Sequence, residues 1–175
     1  MDLQKKFKSI KMVILDVDGV MTDGRVILGD LESELKCFDI KDGLGIKMLI
    51  SAEVIVAIIT GRISEAVTKR ASELGIKDVF QGQSTKMDVY LKLLEKYGLK
   101  DNEAAYIGDD LLDIPLLRCV GVPIAVADAT AEVKRSACYI TRNAGGRGAI
   151  REISDMILTY QGKWENSLRD LGIND

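Results

Sequence analysis

Two aspartates spaced two apart, Asp16 and Asp18, stand where the apolar run Met12 to Leu15 gives out, and Gly19 follows them. In extended chain alternate residues point to the same side, so both carboxylates face one way. Similar runs end in Thr60-Gly61-Arg62 and in Gly108-Asp109-Asp110, and Lys86 lies just inside a helical stretch. Singly, these are ordinary features: an acidic turn, turn chemistry, a helix cap, a solvated lysine. Together they are acids, a cation and a hydroxyl at the ends of successive elements. The chain has no histidine, which removes Ser-His-Asp and Cys-His catalysis and histidine-held metal. Acid–base chemistry then falls to Asp, Glu, Lys, Tyr or Cys. Any metal is held mainly by oxygen, which points to Mg²⁺ rather than zinc.

Strands alternating with helices are what could bring these groups together. Lys11 to Val17 reads as a strand buried on both faces. Arg25 to Leu28 and Ser33 to Ile40, joined through Gly29-Asp30, read as a β-hairpin. Lys41-Asp42-Gly43 turns into a short helix, Leu44 to Ala52, and Glu53 to Ile59 is a second buried strand. A helix, Ile63 to Leu74, and a short strand, Asp78 to Gln81, come next. Ser84 is placed to cap a helix from Thr85 to Tyr97, whose Met87, Tyr90, Leu91, Leu94 and Tyr97 form an apolar face. Ala104 to Ile107 is the fourth strand and Leu111 to Val120 is mainly helical. Val122 to Ala127 and an edge strand, Cys138 to Ile140, flank a helix from Ala131 to Ser136. The loop Ala144-Gly145-Gly146-Arg147-Gly148 precedes a last helix, Ala149 to Gln161, and Gly162 to Asp175 reads as a polar tail. This alternation predicts an α/β, doubly wound, Rossmann-like parallel sheet with a hairpin inserted after its first strand. In such sheets ligands sit beyond the carboxyl ends of the strands, where all the groups above would meet.

Length and composition set the frame. The 175 residues suit one domain, with 47% hydrophobic and 29% charged residues, as in an ordinary globule. A net charge of −3 gives no electrostatic case for nucleic acid or an anionic membrane. No leader and no membrane-spanning run is evident, so the cytoplasm is the expected location. Cys37, Cys119 and Cys138 are odd in number and form no Cys-x-x-Cys, so core packing is their expected role.

The motifs Asp16-Val17-Asp18-Gly19-Val20-Met21-Thr22, Ile58-Ile59-Thr60-Gly61-Arg62, Lys86 and Gly108-Asp109-Asp110-Leu111-Leu112-Asp113 occur in this order over Lys11 to about Ala127. In type and order they resemble the haloacid dehalogenase superfamily of phosphohydrolases. Phe38-Asp39-Ile40-Lys41-Asp42-Gly43, Gln81-Gly82-Gln83-Ser84 and Ala144 to Ala149 extend the likeness to almost the whole chain. They look like the 3-deoxy-D-manno-octulosonate 8-phosphate phosphatases, which act in making the inner sugar acid of bacterial lipopolysaccharide.

The resemblance implies that Asp16 attacks phosphorus to form an aspartyl-phosphate. Asp18 would protonate the leaving oxygen and then activate water. Mg²⁺ would be held by Asp16, the Asp18 carbonyl and Asp109, with Asp110 as a supporting ligand and Asp113 behind them. Lys86 would pair phosphate and nucleophile as a point charge, and Thr60 and the Gly61 N–H would bind phosphate oxygens. Asp39, Ile40, Lys41, Asp42, Gly43, Lys47, Arg62, Arg70 and Arg147 match substrate-contact positions, although Lys47 is often arginine there. Neither residues 19–59 nor residues 87–108 leave room for the cap domain that many superfamily members carry. A capless site either accepts large substrates or borrows its cover from a neighbouring subunit, and the resemblance implies a homotetramer built around hairpins, with the region after Gly145 reaching a neighbour's site.

Three other readings compete. A nine-carbon sugar acid 9-phosphate is an alternative substrate. A phospho-accepting receiver domain shares the sheet, the acids, the Thr and the Lys, but its acidic pair comes on the first strand and its acceptor on the third. Here the order is reversed, and the third strand ends in Gln81-Gly82-Gln83. A P-loop enzyme is disfavoured because no Gly-x-x-x-x-Gly-Lys-Ser/Thr occurs.

Overall fold

Four consecutive buried residues, Met12–Leu15, form the first strand, β1, and the rest of the sheet is laid out from it. The computed structural model describes residues 2–28 and 34–173. A short helix, α1 (Leu3–Lys8), precedes β1. The hairpin strands β2 (Ile27–Leu28) and β3 (Glu34–Leu35) follow, then α2 (Ile40–Ser51), β4 (Ile55–Ile59), α3 (Glu65–Leu74), β5 (Asp78–Phe80) and α4 (Lys86–Tyr97). The second half runs β6 (Ala104–Gly108), α5 (Ile114–Leu117), β7 (Val122–Ala125), α6 (Ala131–Ser136), β8 (Tyr139–Ile140), α7 (Ala149–Tyr160) and α8 (Trp164–Asp170).

The six-stranded sheet has the order β5-β4-β1-β6-β7-β8, and every pair in it is parallel. From β1 the chain winds outward through β4 and β5, then returns to the other side of β1 to lay down β6, β7 and β8. The winding direction therefore reverses between β1 and β6, where the strand ends leave a crevice. Helix α7 packs against α2 and α1, while α5 packs against α4, α6 and the sheet.

Several element boundaries differ from the sequence reading. Helix α2 begins at Ile40, four residues before the expected Leu44, because the Asp39 carboxylate accepts from the N–H groups of Lys41 and Asp42 and starts the helix there. Helix α4 begins at Lys86, with Thr85 rather than Ser84 at its cap position. Its buried face is Lys86, Val89, Tyr90 and Leu93, and the expected Leu91 is exposed. The face is turned so that Lys86 heads it, which aims the ammonium inward. The expected polar tail contains α8, with Trp164 packed on the core and Lys163 Nζ donating to the Ala52 carbonyl at 2.7 Å. Ala52 stands just before β4, so this tail lies at the amino ends of the strands, away from the crevice. Cys37, Cys119 and Cys138 are all exposed, a correction to the expectation of core packing: each sits in a connection rather than inside a buried strand.

The hairpin is shorter than expected, with two residues in each strand, paired Ile27 to Leu35 and Leu28 to Glu34. Its expected turn, Gly29-Asp30-Leu31-Glu32, lies outside the described residues. Val26, Ile27 and Leu35 are exposed, and Leu28 is 80% exposed. Among the described residues no helix is long and apolar enough to cross a membrane.

Candidate active site

Asp16 follows β1, Thr60 follows β4 and Asp109 follows β6, so the parallel register of these three neighbours places the groups side by side. The chain turns tightly after Asp16: the Val17 carbonyl accepts from the N–H groups of Val20, Met21 and Thr22. Gly19 has φ +88°, and a Cβ there would fall 2.0 Å from Asp109 Oδ2. Only glycine allows the first loop to lie against the Asp109 carboxylate.

A buried lysine ties the acids together. Lys86 Nζ lies 2.9 Å from Asp16 Oδ2 and 2.7 Å from Asp113 Oδ1, and donates to the Tyr106 hydroxyl at 2.8 Å. The Tyr106 hydroxyl donates to Asp113 Oδ1 at 2.6 Å. The other Asp113 oxygen accepts from the N–H groups of Asp109 (2.8 Å) and Asp110 (3.2 Å). Asp113 is thus saturated, and it orients both the lysine and the loop after β6. Asp16 Oδ1 accepts from the Val17 N–H at 2.7 Å.

Carboxylate oxygens of Asp16, Asp109 and Asp113 lie within 4.8 Å of one another. Asp109 Oδ1 is buried without a hydrogen-bond partner. Burial, then the Asp113, Asp16 and Asp110 charges, push the Asp109 carboxyl up to about 8. Burial also lifts Asp16 to about 6, against the opposing pull of Lys86. Crowded, under-compensated hard oxygen donors are what a divalent cation such as Mg²⁺ requires. The residues fit that ion, and Asp16 and Asp109 are the side chains that would hold it. Asp110 stands outside the cluster but on the wall of the same cavity: its exposed carboxylate accepts from the Leu111 N–H at 2.8 Å and starts the turn Leu111–Asp113.

On the open side, Lys36 Nζ donates to Asp18 Oδ1 and lies 2.8 Å from Glu34 Oε1. Arg62 approaches the same two acids, its Nη2 donating to Glu34 Oε2 at 2.8 Å and its Nε 3.6 Å from Asp18 Oδ2. Burial works against the Lys36 charge, and the bonds to Asp18 and Glu34 outweigh it, holding the ammonium above its ordinary value. A cavity of about 320 Å³ opens over Asp16, Asp18, Thr60, Lys86 and Asp109, with Gly61, Gln83 and Ser84 also on its wall. A carboxylate beside a cation and a second carboxylate on the wall of the same cavity can support nucleophilic attack with proton transfer.

The chain's relatives are named as hydrolases and phosphatases. The haloacid dehalogenase-like hydrolase family matches residues 51–153. The chain belongs to the haloacid dehalogenase-like hydrolases. It is 45% identical to the 3-deoxy-D-manno-octulosonate 8-phosphate phosphatase of Escherichia coli (strain K12), over 95% of this chain and 88% of that protein. The crystal structure of the Yersinia pestis phosphatase of that name superposes with a TM-score of 0.92 at 45% identity, covering 93% of this chain and 88% of that one. The Moraxella catarrhalis phosphatase, solved with magnesium ion, phosphate ion and a KDO molecule, gives a TM-score of 0.93 at 39% identity, covering 96% and 97%.

Within this haloacid dehalogenase-like fold, the remaining expected contact residues stand away from the cavity wall. Asp39 caps α2, and Ile40 and Lys47 are exposed on that helix. Asp42 is buried, accepting from the N–H groups of Gly148 (3.2 Å) and Arg151 (2.7 Å), so it starts α7 rather than facing a ligand. Gly43 lies under Arg70, whose Nη2 donates to the Asp39 carbonyl at 3.4 Å and whose Nη1 pairs with Glu73 at 3.2 Å. Lys41 and Arg147 line a separate cleft of about 460 Å³ with Arg142 and Arg151. Arg147 pairs with Asp23 at 3.5 Å, and Gly146 N–H donates to the Val20 carbonyl, so the glycine loop braces its own first loop. Sequence reasoning missed Glu34, Lys36 and Tyr106. Glu34 and Lys36 are two apart and share a strand face, which was a usable signal; Tyr106 inside an apolar strand carried none.

Proposed function

We propose that this chain is a phosphomonoesterase that releases inorganic phosphate from 3-deoxy-D-manno-octulosonate 8-phosphate, a step toward lipopolysaccharide, with Mg²⁺ as cofactor. The observation that carries the chemistry is the cluster of Asp16, Asp109 and Asp113 around Lys86, with one Asp109 oxygen left unpartnered. The identity of the sugar acid rests on relatives 45% identical over 95% of the chain and on the KDO-bound Moraxella catarrhalis structure.

Lys86 offsets part of the charge that a phosphate dianion would bring toward the Asp16 carboxylate. Mg²⁺ held by Asp16, Asp109 and the Asp18 carbonyl supplies the remaining neutralisation. Thr60 and the Gly61 N–H hold phosphate oxygens. Asp16 attacks phosphorus, the bond from phosphorus to the sugar oxygen breaks, and Asp18 gives that oxygen a proton. Asp18 then takes a proton from water as the water attacks the aspartyl-phosphate. The bond from Asp16 to phosphorus breaks, and phosphate leaves. Arg62 and, across a subunit boundary, Lys41, Lys47, Arg70 and Arg147 are the cations available to a sugar carboxylate.

The chain assembles as a homotetramer around its hairpins. The exposed Val26, Ile27, Leu28 and Leu35 support this reading, because contiguous exposed apolar residues mark interfaces. Phosphate release from a panel of eight- and nine-carbon sugar acid phosphates, with Mg²⁺ and after EDTA, tests the assignment. Turnover should be fastest on the eight-carbon substrate and vanish with the metal. Metal-free protein that keeps full activity would refute it.

A further inference from the structure

The hairpin does more than present an apolar face. Alternate residues of a strand point to opposite sides, and here Leu35 is exposed while Glu34 and Lys36 turn inward to the site. The Lys36 side chain is 1% exposed, enclosed between Asp18 and Glu34. Arg62 bridges the same pair from outside, but its side chain is 49% exposed and it stands 3.6 Å from Asp18, beyond hydrogen-bond reach. Of the two cations, Lys36 alone hydrogen-bonds Asp18, and it does so at Oδ1.

We propose that Lys36 is a positioning residue for Asp18: it pins Oδ1 and leaves Oδ2 as the oxygen that carries the proton to the leaving group. The inference rests on the phosphatase reading. An aspartate at a loop has several staggered χ1 wells and a broad χ2 open to it unless something holds it, and a misplacement near 1 Å can cost about a hundredfold in rate. Glu34 fixes Lys36 in turn, so the seating of the hairpin sets the aim of Asp18. In the step concerned, the proton on Oδ2 passes to the departing oxygen as its bond to phosphorus breaks, and Asp18 is left as the carboxylate that Lys36 stabilises.

The test is a leaving-group series on the full-length Mg²⁺ protein, from p-nitrophenyl phosphate through phenyl phosphate to alkyl and sugar phosphates, read as kcat/KM. A good leaving group needs no proton, and a poor one does. Lys36→Met should lose about 10- to 100-fold on alkyl and sugar phosphates and little on p-nitrophenyl phosphate, because general acid assistance is worth about that much or more. The plot of log kcat/KM against leaving-group pKa should therefore steepen. Lys36→Arg, which keeps a cationic donor at this position, should restore the wild-type slope. Should methionine unseat the hairpin, Lys36→Gln gives the same reading without charge. An equal loss for every leaving group, with the slope unchanged, would overturn the role of Lys36. A wild-type protein inert toward the whole series would overturn the phosphatase reading, and this inference with it.

Discussion

Asp16 is held on both oxygens, by the Val17 N–H and by Lys86, with Asp109 close enough to repel it. Asp16→Asn keeps the size and removes the nucleophile, so turnover should fall by on the order of a thousandfold or more, as it does when other enzymes lose theirs. Removing one of three crowded carboxylates should leave the melting temperature of the metal-free protein unchanged or raised. Near wild-type phosphate release from a well-folded variant would defeat the assignment. Burial, with the crowding added to it, governs the response to pH. Asp109, raised to about 8, and Asp16, raised to about 6, still hold protons in the folded metal-free protein at pH values where the unfolded chain has released them. Their stabilising contribution is full below about pH 4 and lost as pH rises through about 6 and then about 8. Asp42, raised by burial to about 6, acts in the same sense inside that window, while Glu34 and Glu152, both shifted downward, change only below the ordinary glutamate range. Metal-free protein should melt lower at pH 8 than at pH 5.5, and Mg²⁺, which competes with those protons, should raise the melting temperature more at pH 8. Thermal melts with EDTA and with Mg²⁺ at the two pH values check both statements, and a metal-free melting temperature that climbs toward pH 8 would contradict them.

Acids also place the elements. Asp39 starts α2, and Asp42, in the first turn of that helix, reaches across to start α7. This cross-brace fits the closeness of the two helices, for a Cβ on Gly45 would stand 2.8 Å from Ser154 Oγ. Replacing Asp42 by alanine strands the N–H groups of Gly148 and Arg151, which should cost about 1–3 kcal/mol. Because α7 follows directly on the glycine loop that braces residues 19–23, the loss should also appear as faster amide exchange over residues 144–148. Urea unfolding and hydrogen exchange measure the two effects, and an unchanged midpoint would mean that the carboxylate is not the cap. At the same scale, Asp113 sets the loop after β6 and the lysine at the head of α4 with its two oxygens.

Seen whole, the molecule is a parallel sheet whose cavity has no cap among the described residues. Its hairpin, by contrast, shows charge to the site and hydrocarbon to the outside. An isolated hairpin is marginal in water, and this one exposes Leu28 by 80%. Burying such a face in a symmetric assembly is the usual outcome. Light scattering should give the mass of four chains, and Val26→Glu with Leu28→Lys should shift the protein to smaller species. A fully active monomer at micromolar concentration would end both the tetramer and the borrowed cover. Charged variants that remain tetrameric would move the seam elsewhere on the surface.

The amino-acid sequence by itself determined the layers and the roster of chemical groups. Apolar runs such as Met12 to Leu15 hold their meaning in any context, because a strand buried on both faces tolerates little else. Groups that follow those runs directly, Asp16, Thr60 and Asp109, were legible for the same reason. Matters that depend on long-range partners were decided only by the tertiary structure. Asp110 and Asp113 are three apart and chemically alike, yet one caps a turn in the open and the other is saturated beneath Lys86. Asp42 reads like a loop acid and is a buried helix cap, because α7 arrives more than a hundred residues later in the chain. Lys36 reads as one cation among the 24 lysines and arginines. It matters because the hairpin folds back over Asp18, and where a hairpin docks is set by partners elsewhere in the chain, which local pattern does not encode.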